Sequence, residues 1–88
     1  MKQDTIVLKN EEGLHARAAA TFVRAANRFT ADITLTAHGD KVNGKSIIGI
    51  MSLGAFSGEE VTICAEGADE EEAVNTLINL IKEDFKED

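Results

Sequence analysis

Apolar and polar residues alternate in three segments of the chain, which is the pattern of a strand with one buried face. These segments are residues 5–9, 32–36 and 61–66. A polar turn at residues 38–40 follows the second segment and is typical of a hairpin, so it predicts a further short strand at residues 41–43. The pattern therefore predicts four strands.

Two longer segments place apolar residues at the spacing of an amphipathic helix. In residues 16–29 the apolar side chains form one stripe, and the arginines lie off it. A second helix is predicted to begin in the acidic run at residues 69–72, because acids suit the positive end of a helix dipole. The residues that this helix should bury are Ala73, Val74, Leu77, Leu80 and Ile81.

Residues 47–53 are apolar at nearly every position, which fits either a short helix or a buried strand. Ser46 is a favoured helix N-cap, and Gly54 is a favoured residue at a helix end. We therefore predict a helix between these two residues and keep the buried strand as the alternative.

The predicted element order is β-α-β-β-α-β-α, which favours an α+β fold. We expect a two-layer open-faced β-sandwich in which a four-stranded, mostly antiparallel sheet carries three helices on one face. At 88 residues the chain suits a single domain, residues 1–88. Such a small domain has little room for a deep, water-free cavity, so its chemistry is expected at the surface.

Charge is distributed unevenly along the chain. The sequence holds 9 Lys and Arg against 16 Asp and Glu, a net charge of -7, which argues against direct binding of nucleic acid. Residues 13–31 and 41–58 nevertheless contain no acid. If these two segments meet in space, they form a basic face that suits an anion or an acidic partner. Their cationic residues are Arg17, Arg24, Arg28, Lys41 and Lys45.

The sequence also limits the location of the protein. It shows no signal-peptide pattern and no run near the ~20 apolar residues that span a bilayer, so we expect a cytoplasmic protein without membrane insertion. Cys64 is the only cysteine and lies in an alternating segment, which favours a packing role. No motif suggests a metal or a cofactor, and neither is expected.

His15 stands where the first predicted turn becomes a helix. The first N–H groups of a helix lack partners within the helix and, with the helix dipole, favour an anion. Arg17, within one turn, offers a donor fork for phosphate oxygens. His15 could thus carry a phosphate on a ring nitrogen, although taken alone it also fits a merely polar residue at a helix start. His38, in the hairpin turn, is predicted to be solvated and without a role.

Ser46 is the second candidate residue. Its first role is that of a helix N-cap, but a kinase could also use it, because a phosphoserine at a helix N-terminus is electrostatically favourable. The short helix has more apolar residues than one face can bury. Ile47, Ile48 and Met51 are therefore expected to form a partly exposed docking patch, with the charge of Lys45 beside it.

Two sequence motifs resemble a known family. The runs GLHARAA at residues 13–19 and VNGKSIIGIMSLG at residues 42–54 are similar to those of HPr, the histidine-containing phosphocarrier of the bacterial phosphoenolpyruvate-dependent sugar phosphotransferase system. The resemblance implies an HPr-like fold in which Enzyme I phosphorylates His15 and phospho-His15 donates to the IIA domains of sugar permeases. Arg17 would steady the phosphate, and the implied docking residues are Ala20, Arg24, Ile47, Ile48 and Met51.

The second motif further resembles the regulatory site of Gram-positive relatives. It implies that HPr kinase/phosphorylase modifies Ser46 and that the product serves as corepressor with a catabolite control protein. The family usually has proline where this chain has Ala18, and often methionine where it has Ile48. Ala18 keeps the helix and adds an N–H group, whereas Ile48 keeps the apolar patch with a stiffer side chain.

Two other functions remain as alternatives. The chain could act mainly as a regulatory binding module through phospho-Ser46, which is compatible with a carrier role. It could also be a small enzyme on a similar fold, such as a phosphatase of acyl phosphates. This last possibility is disfavoured because the sequence supplies no second catalytic group near His15.

Overall fold

The computed structural model describes residues 1–86, and its elements follow the predicted order. Glu87 and Asp88 lie outside the described residues. No helix within residues 1–86 is long and apolar enough to cross a membrane. The strands are β1 (Lys2–Val7), β2 (Asp32–Ala37), β3 (Asp40–Asn43) and β4 (Glu60–Glu66), and the helices are α1 (Ala16–Ala26), α2 (Ile47–Leu53) and α3 (Glu70–Lys82).

The four strands form one sheet in the order β1-β4-β2-β3. Every neighbouring pair is antiparallel, and the register places Thr62 opposite Thr5 on one side and Thr36 on the other. Helix α3 packs on β1 and β4, α2 packs on β3, and α1 packs on the other two helices. The predicted open-faced sandwich is therefore confirmed.

The core lies between the sheet and the helices. Alternate residues of β2 and β4 are buried toward the helices, whereas Cys64 is half-buried on the opposite face, between Gln3 and Thr34 of the neighbouring strands. Alternation along a strand sends successive side chains to opposite faces, which explains this division. The largest fully buried side chains are Phe22, Leu8, Leu35, Ile50, Ile63, Leu77, Ile81, Val61 and Val74.

The ends of several elements differ from the predictions. β1 begins at Lys2 and ends at Val7, and α1 ends at Ala26. The side-chain amide of Asn27 donates to the carbonyl of Val23 at 2.9 Å, and the next two N–H groups bond to carbonyls only three residues earlier, which closes the helix in a tighter turn. In α3, Ile78 is buried whereas Leu80 is half-buried against the core.

Asp69 ties the start of α3 to the loop between α1 and β2. It occupies the N-cap position but makes no capping bond. Its carboxylate instead accepts backbone hydrogen bonds from Thr30 and Ala31, each at 2.9 Å. These bonds, the one from Thr30 first, favour the charged form and lower the pKa of Asp69. The carboxylate thus holds together two segments that are distant in the sequence.

Asp69→Asn should lower the thermal midpoint at neutral pH, because an amide cannot accept both backbone bonds. The folded pKa of Asp69 lies below its ordinary value of 3.8, so its stabilisation is present above that pH and is lost as the pH falls through the folded value. Thermal unfolding followed by circular dichroism from about pH 6 to pH 2 should therefore give a flatter pH dependence for the variant. Glu71→Gln, an exposed acid in the same helical turn, is the control. Equal flattening in both variants would contradict this prediction.

Candidate functional site

His15 is the N-cap residue of α1. Its backbone is extended, with φ -74° and ψ 177°, and its Nδ1 accepts a hydrogen bond from the backbone N–H of Arg17 at 3.2 Å. The imidazole therefore takes the place of the Ser, Thr, Asp or Asn side chain that usually caps a helix. A nitrogen that accepts a hydrogen bond carries no proton, so the proton of the neutral ring resides on Nε2. The half-buried ring thus directs a lone pair toward the helix N-terminus.

The turn before His15 rests on the loop that follows α2. Gly13 has a φ of 62°, and a Cβ atom at this position would lie 2.5 Å from the carbonyl oxygen of Ala55. The same oxygen accepts a hydrogen bond from the N–H of Leu14 at 3.0 Å. The side-chain amide of Asn10 donates to the carbonyl of Gly13 at 2.7 Å and closes the turn. Only glycine therefore allows this close approach, which fixes the position of His15.

Arg17 is the second residue of α1, and its side chain is exposed. Within residues 1–86 its guanidinium forms no hydrogen bond or ion pair. The first N–H groups of α1 likewise have no acceptor inside the helix apart from the ring of His15. The first N–H groups of α1 and the side chain of Arg17 are therefore potential donors for an anion beside His15, which agrees with the sequence-based expectation.

A surface depression of about 740 Å³ lies beside His15 and Arg17. Its other walls include Asp84 and Phe85, which the sequence pattern did not connect with this site. The N–H of Phe85 donates to the carbonyl of Leu80 at 2.8 Å, and this bond folds the end of α3 back toward the core. The one feature of the sequence that could have indicated this contact is Phe85 itself, a single aromatic residue in a charged segment. The remaining lining residues are Lys9, Asn10, Glu11, Glu12 and Ala18.

Ser46 is the N-cap of α2. Its Oγ accepts a hydrogen bond from the N–H of Gly49 at 3.1 Å, and Gly54 ends the helix in the left-handed conformation with a φ of 62°. The predicted helix is therefore confirmed, and the alternative of a buried strand is wrong. Ile50 and Leu53 are the residues that this helix buries.

The rest of α2 exposes an apolar patch formed by Ile47, Ile48 and Met51. Their exposed fractions are 39%, 77% and 47%, which agrees with the prediction that one face cannot bury all of them. Phe56, in the loop after α2, is 72% exposed and was not predicted. Its Cα would lie 3.0 Å from a Cβ atom on Gly13, so it borders the turn before His15.

The two acid-free segments meet, as expected, because α1 packs on α2. The half-buried Lys45 joins them: its Nζ donates to the carbonyl of Phe29 at 2.7 Å. Arg24 is exposed on α1, and its Nη2 lies 3.4 Å from the hydroxyl of Thr21. Ala20 is half-buried on the same helix. Contacts of Lys45, Arg24 and Ala20 with a partner stay predictions.

His38 is exposed, as predicted, but its ring also contacts two acids that the sequence did not indicate. Its Nδ1 lies 2.6 Å from Oε2 of Glu59, and its Nε2 lies 3.7 Å from Oδ2 of Asp40. The hydrogen bond with Glu59 is the main cause that raises the pKa of His38. Glu59 lies 21 residues further along the chain, so local sequence gave no sign of this contact.

A capping histidine, with an arginine in the first turn of the helix and an apolar patch on a neighbouring Ser46-capped helix, is the arrangement expected from the two motifs. A family model described as "PTS HPr component phosphorylation site" matches residues 2–83. The chain belongs to the HPr family. HPr proteins are phosphocarriers rather than catalysts, which weighs against the small phosphatase considered above.

Individual relatives agree with this assignment. The HPr-like protein Crh of Bacillus subtilis is 48% identical over 84 residues, which cover 96% of this chain and 99% of that protein. The crystal structure of HPr from Thermoanaerobacter tengcongensis is 51% identical and has a TM-score of 0.94, covering 100% of this chain and 99% of that one. HPr from Bacillus anthracis is 49% identical with a TM-score of 0.82, covering 86% and 90% of the two chains.

Proposed function

We propose that this HPr-family chain accepts a phosphoryl group on His15 from Enzyme I and donates it to the IIA domains of sugar permeases, in the cytoplasm. The observation that carries the proposal is the hydrogen-bond-accepting Nδ1 at the N-terminus of α1, with Arg17 in the first turn of the same helix. A neutral imidazole is a nucleophile that needs no general base. The site therefore contains what phosphate acceptance requires.

In the transfer, a bond forms between Nδ1 and phosphorus while the bond from phosphorus to the donor group breaks, and the donor keeps that electron pair. The proton on Nε2 is not removed in this step. The N–H of Arg17, which donates to Nδ1 before transfer, can then donate to a phosphate oxygen instead. The guanidinium of Arg17 and the positive end of the helix dipole stabilise the added charge.

Docking of both partners is proposed on the surface beside His15. The apolar patch supplies area that becomes buried on association, and Arg24 on α1 supplies positive charge for an acidic partner. Ala20, half-buried on α1, is proposed as a further contact residue. Partner recognition and phosphate transfer thus use adjacent surfaces of α1 and α2, which pack on each other.

Incubation with phosphoenolpyruvate and Enzyme I tests this proposal. The expected product carries one acid-labile, base-stable phosphate, which mass spectrometry locates on His15, and a IIA domain added afterwards removes it. A chain that stays unphosphorylated with an Enzyme I preparation active on another HPr would refute the carrier function.

A second function is proposed for Ser46. HPr kinase/phosphorylase would phosphorylate it, and the product would bind a catabolite control repressor protein. The hydroxyl lies at a helix N-terminus, where added phosphate is electrostatically favourable. The B. subtilis relative, 48% identical, is described as a catabolite repression HPr. Ser46→Asp should gain affinity for the repressor protein in a calorimetric titration, and unchanged affinity would count against this function.

Ser46→Asp should also lower kcat/KM for transfer from Enzyme I by about tenfold, because a negative charge beside the apolar patch repels an acidic partner. Steady-state phosphorylation with limiting Enzyme I measures the effect. Ser46→Asn is the matched control, since asparagine also caps helices and has nearly the same shape without the charge. If the two variants are equally slow, charge repulsion is not the cause.

A further inference from the structure

We propose that His38 and Glu59 are positioning residues for phosphate transfer, because together they hold the loop segment on which the turn before His15 rests. This inference rests on the proposed carrier function. It concerns a pair of side chains outside the phosphate-binding residues, in the β2–β3 hairpin and in the loop before β4.

His38 is not required by the hairpin itself. It forms a two-residue turn with Gly39, and both residues have positive φ, 38° and 86°. Asparagine or glycine would serve such a turn. The imidazole, however, makes contacts that neither residue offers: it bonds to Glu59 and lies near the backbone of Leu53, the last residue of α2. The hairpin is thereby linked to the helix that carries the apolar patch.

Glu59 extends this link to Phe56 in its own loop, which follows α2 and precedes β4. While Oε2 contacts the ring of His38 at 2.6 Å, Oε1 accepts a hydrogen bond from the N–H of Phe56 at 2.7 Å. The N–H of Glu59 also donates to the carbonyl of Phe56 at 3.0 Å. One carboxylate therefore joins the hairpin to Phe56, the exposed aromatic residue that borders the turn before His15.

The residue before Phe56 completes the connection to the phosphate site. The carbonyl of Ala55 accepts from the N–H of Leu14 at 3.0 Å, and Gly13 packs against the same oxygen. Leu14 directly precedes His15, the cap of α1. A continuous set of backbone and side-chain bonds thus leads from the hairpin to the histidine, over residues that belong to three separate segments of the chain.

The protonation state of His38 should control the strength of this link. The charged groups that face the ring are Glu59 from the loop and Asp40 from β3, while α2 places the backbone of Leu53 near the ring and contains no charged residue. The hydrogen bond between the two side chains is the main cause that raises the pKa of His38 and lowers the pKa of Glu59. The pair is therefore fully charged between the two pKa values, and it weakens as the pH rises through that of His38.

His38→Asn tests the inference, because asparagine keeps the turn and removes the imidazole. In a nuclear magnetic resonance titration of the unmodified protein, the amide signals of Leu14 and Phe56 should shift with the pKa of His38, and in the variant they should not. With Enzyme I, the variant should have a KM about two- to fivefold above that of the unmodified chain near pH 6. The two values should converge as the pH rises above the pKa of His38, where its ring is neutral. Both chains are assayed with the same Enzyme I at each pH. The ratio of the variant's KM to that of the unmodified chain therefore removes the pH dependence of Enzyme I.

Glu59→Gln should reproduce the rise in KM, since glutamine still accepts from Phe56 but lacks the charge. Asp40→Asn is the control, because Asp40 also faces the ring, at 3.7 Å, but within residues 1–86 its side chain makes no hydrogen bond to the loop after α2. The inference is overturned if the amide signals of Leu14 and Phe56 do not shift with the pKa of His38. It is also overturned if the KM of both variants equals that of the unmodified chain across the pH range. If Enzyme I does not phosphorylate the unmodified chain, the carrier function fails, and the titration still decides whether His38 positions the loop.

Discussion

His15→Asn should abolish phosphate acceptance while leaving the fold as stable as before. Asparagine is among the best N-cap residues, so its side-chain oxygen can accept from the N–H of Arg17 in place of Nδ1. It has no nucleophilic nitrogen, and loss of the nucleophile should slow transfer more than about a thousandfold. Phosphate incorporation from phosphoenolpyruvate and Enzyme I, together with urea unfolding, measures both effects.

His15→Ala separates the two roles of the residue. It should lose phosphate acceptance to the same extent and also about 1 kcal/mol of stability, because alanine leaves the first N–H groups of α1 without a cap. If either variant took up phosphate at the rate of the unmodified chain, another residue would be the acceptor. Equal stability of the two variants would show that the bond from Arg17 to Nδ1 contributes little to α1.

Gly13→Ala should destabilise the fold by about 2–4 kcal/mol, because two costs combine. A side chain at positive φ costs about 1–2 kcal/mol, and overlap with backbone in a packed region adds a similar amount. The overlap arises with the carbonyl oxygen of Ala55, 2.5 Å from the new Cβ. Since relief of the overlap moves the turn before His15, transfer from Enzyme I should also slow by about tenfold or more.

Gly54→Ala is the matched control for the backbone cost. Gly54 has the same φ of 62°, but its nearest neighbour would lie 4.0 Å from the added Cβ. It should therefore lose only about 1–2 kcal/mol in urea unfolding. The same loss of stability in both variants would contradict the proposed close contact between Gly13 and Ala55.

Features that depend on neighbouring residues could be predicted from the sequence. Ser46 and Gly54 marked both ends of α2, because the capping bond and the left-handed turn form within a few residues. The alternating segments predicted the strands because alternation is also a local pattern. The order of the strands and helices then predicted the fold class. His15 at the start of α1 was likewise evident from its position between a turn and an amphipathic segment.

Features that depend on distant residues could not be predicted in this way. Asp69 looked like an ordinary acid at a helix start, yet it bonds to Thr30 and Ala31, which lie 39 and 38 residues away. The contact of the exposed His38 with Glu59 was missed because Glu59 lies in another loop. The contact of Gly13 with Ala55 depends on how α1 and α2 pack. In each case the sheet order and the helix packing, which no local pattern contains, bring the partners together.

The sheet order β1-β4-β2-β3 has a consequence for how the protein is made. In the described sheet, β1 (Lys2–Val7) pairs with β4 alone. During synthesis β1 can therefore form its sheet hydrogen bonds only after Glu60–Glu66 has emerged from the ribosome. The turn before His15 also forms late, because the N–H of Leu14 donates to the carbonyl of Ala55. Contacts between residues so far apart slow folding relative to helical bundles of similar length. A growing chain therefore contains His15 early in synthesis, but the turn before His15 gains its contact with Ala55, and β1 its partner strand, only after residues 55–66 have been made.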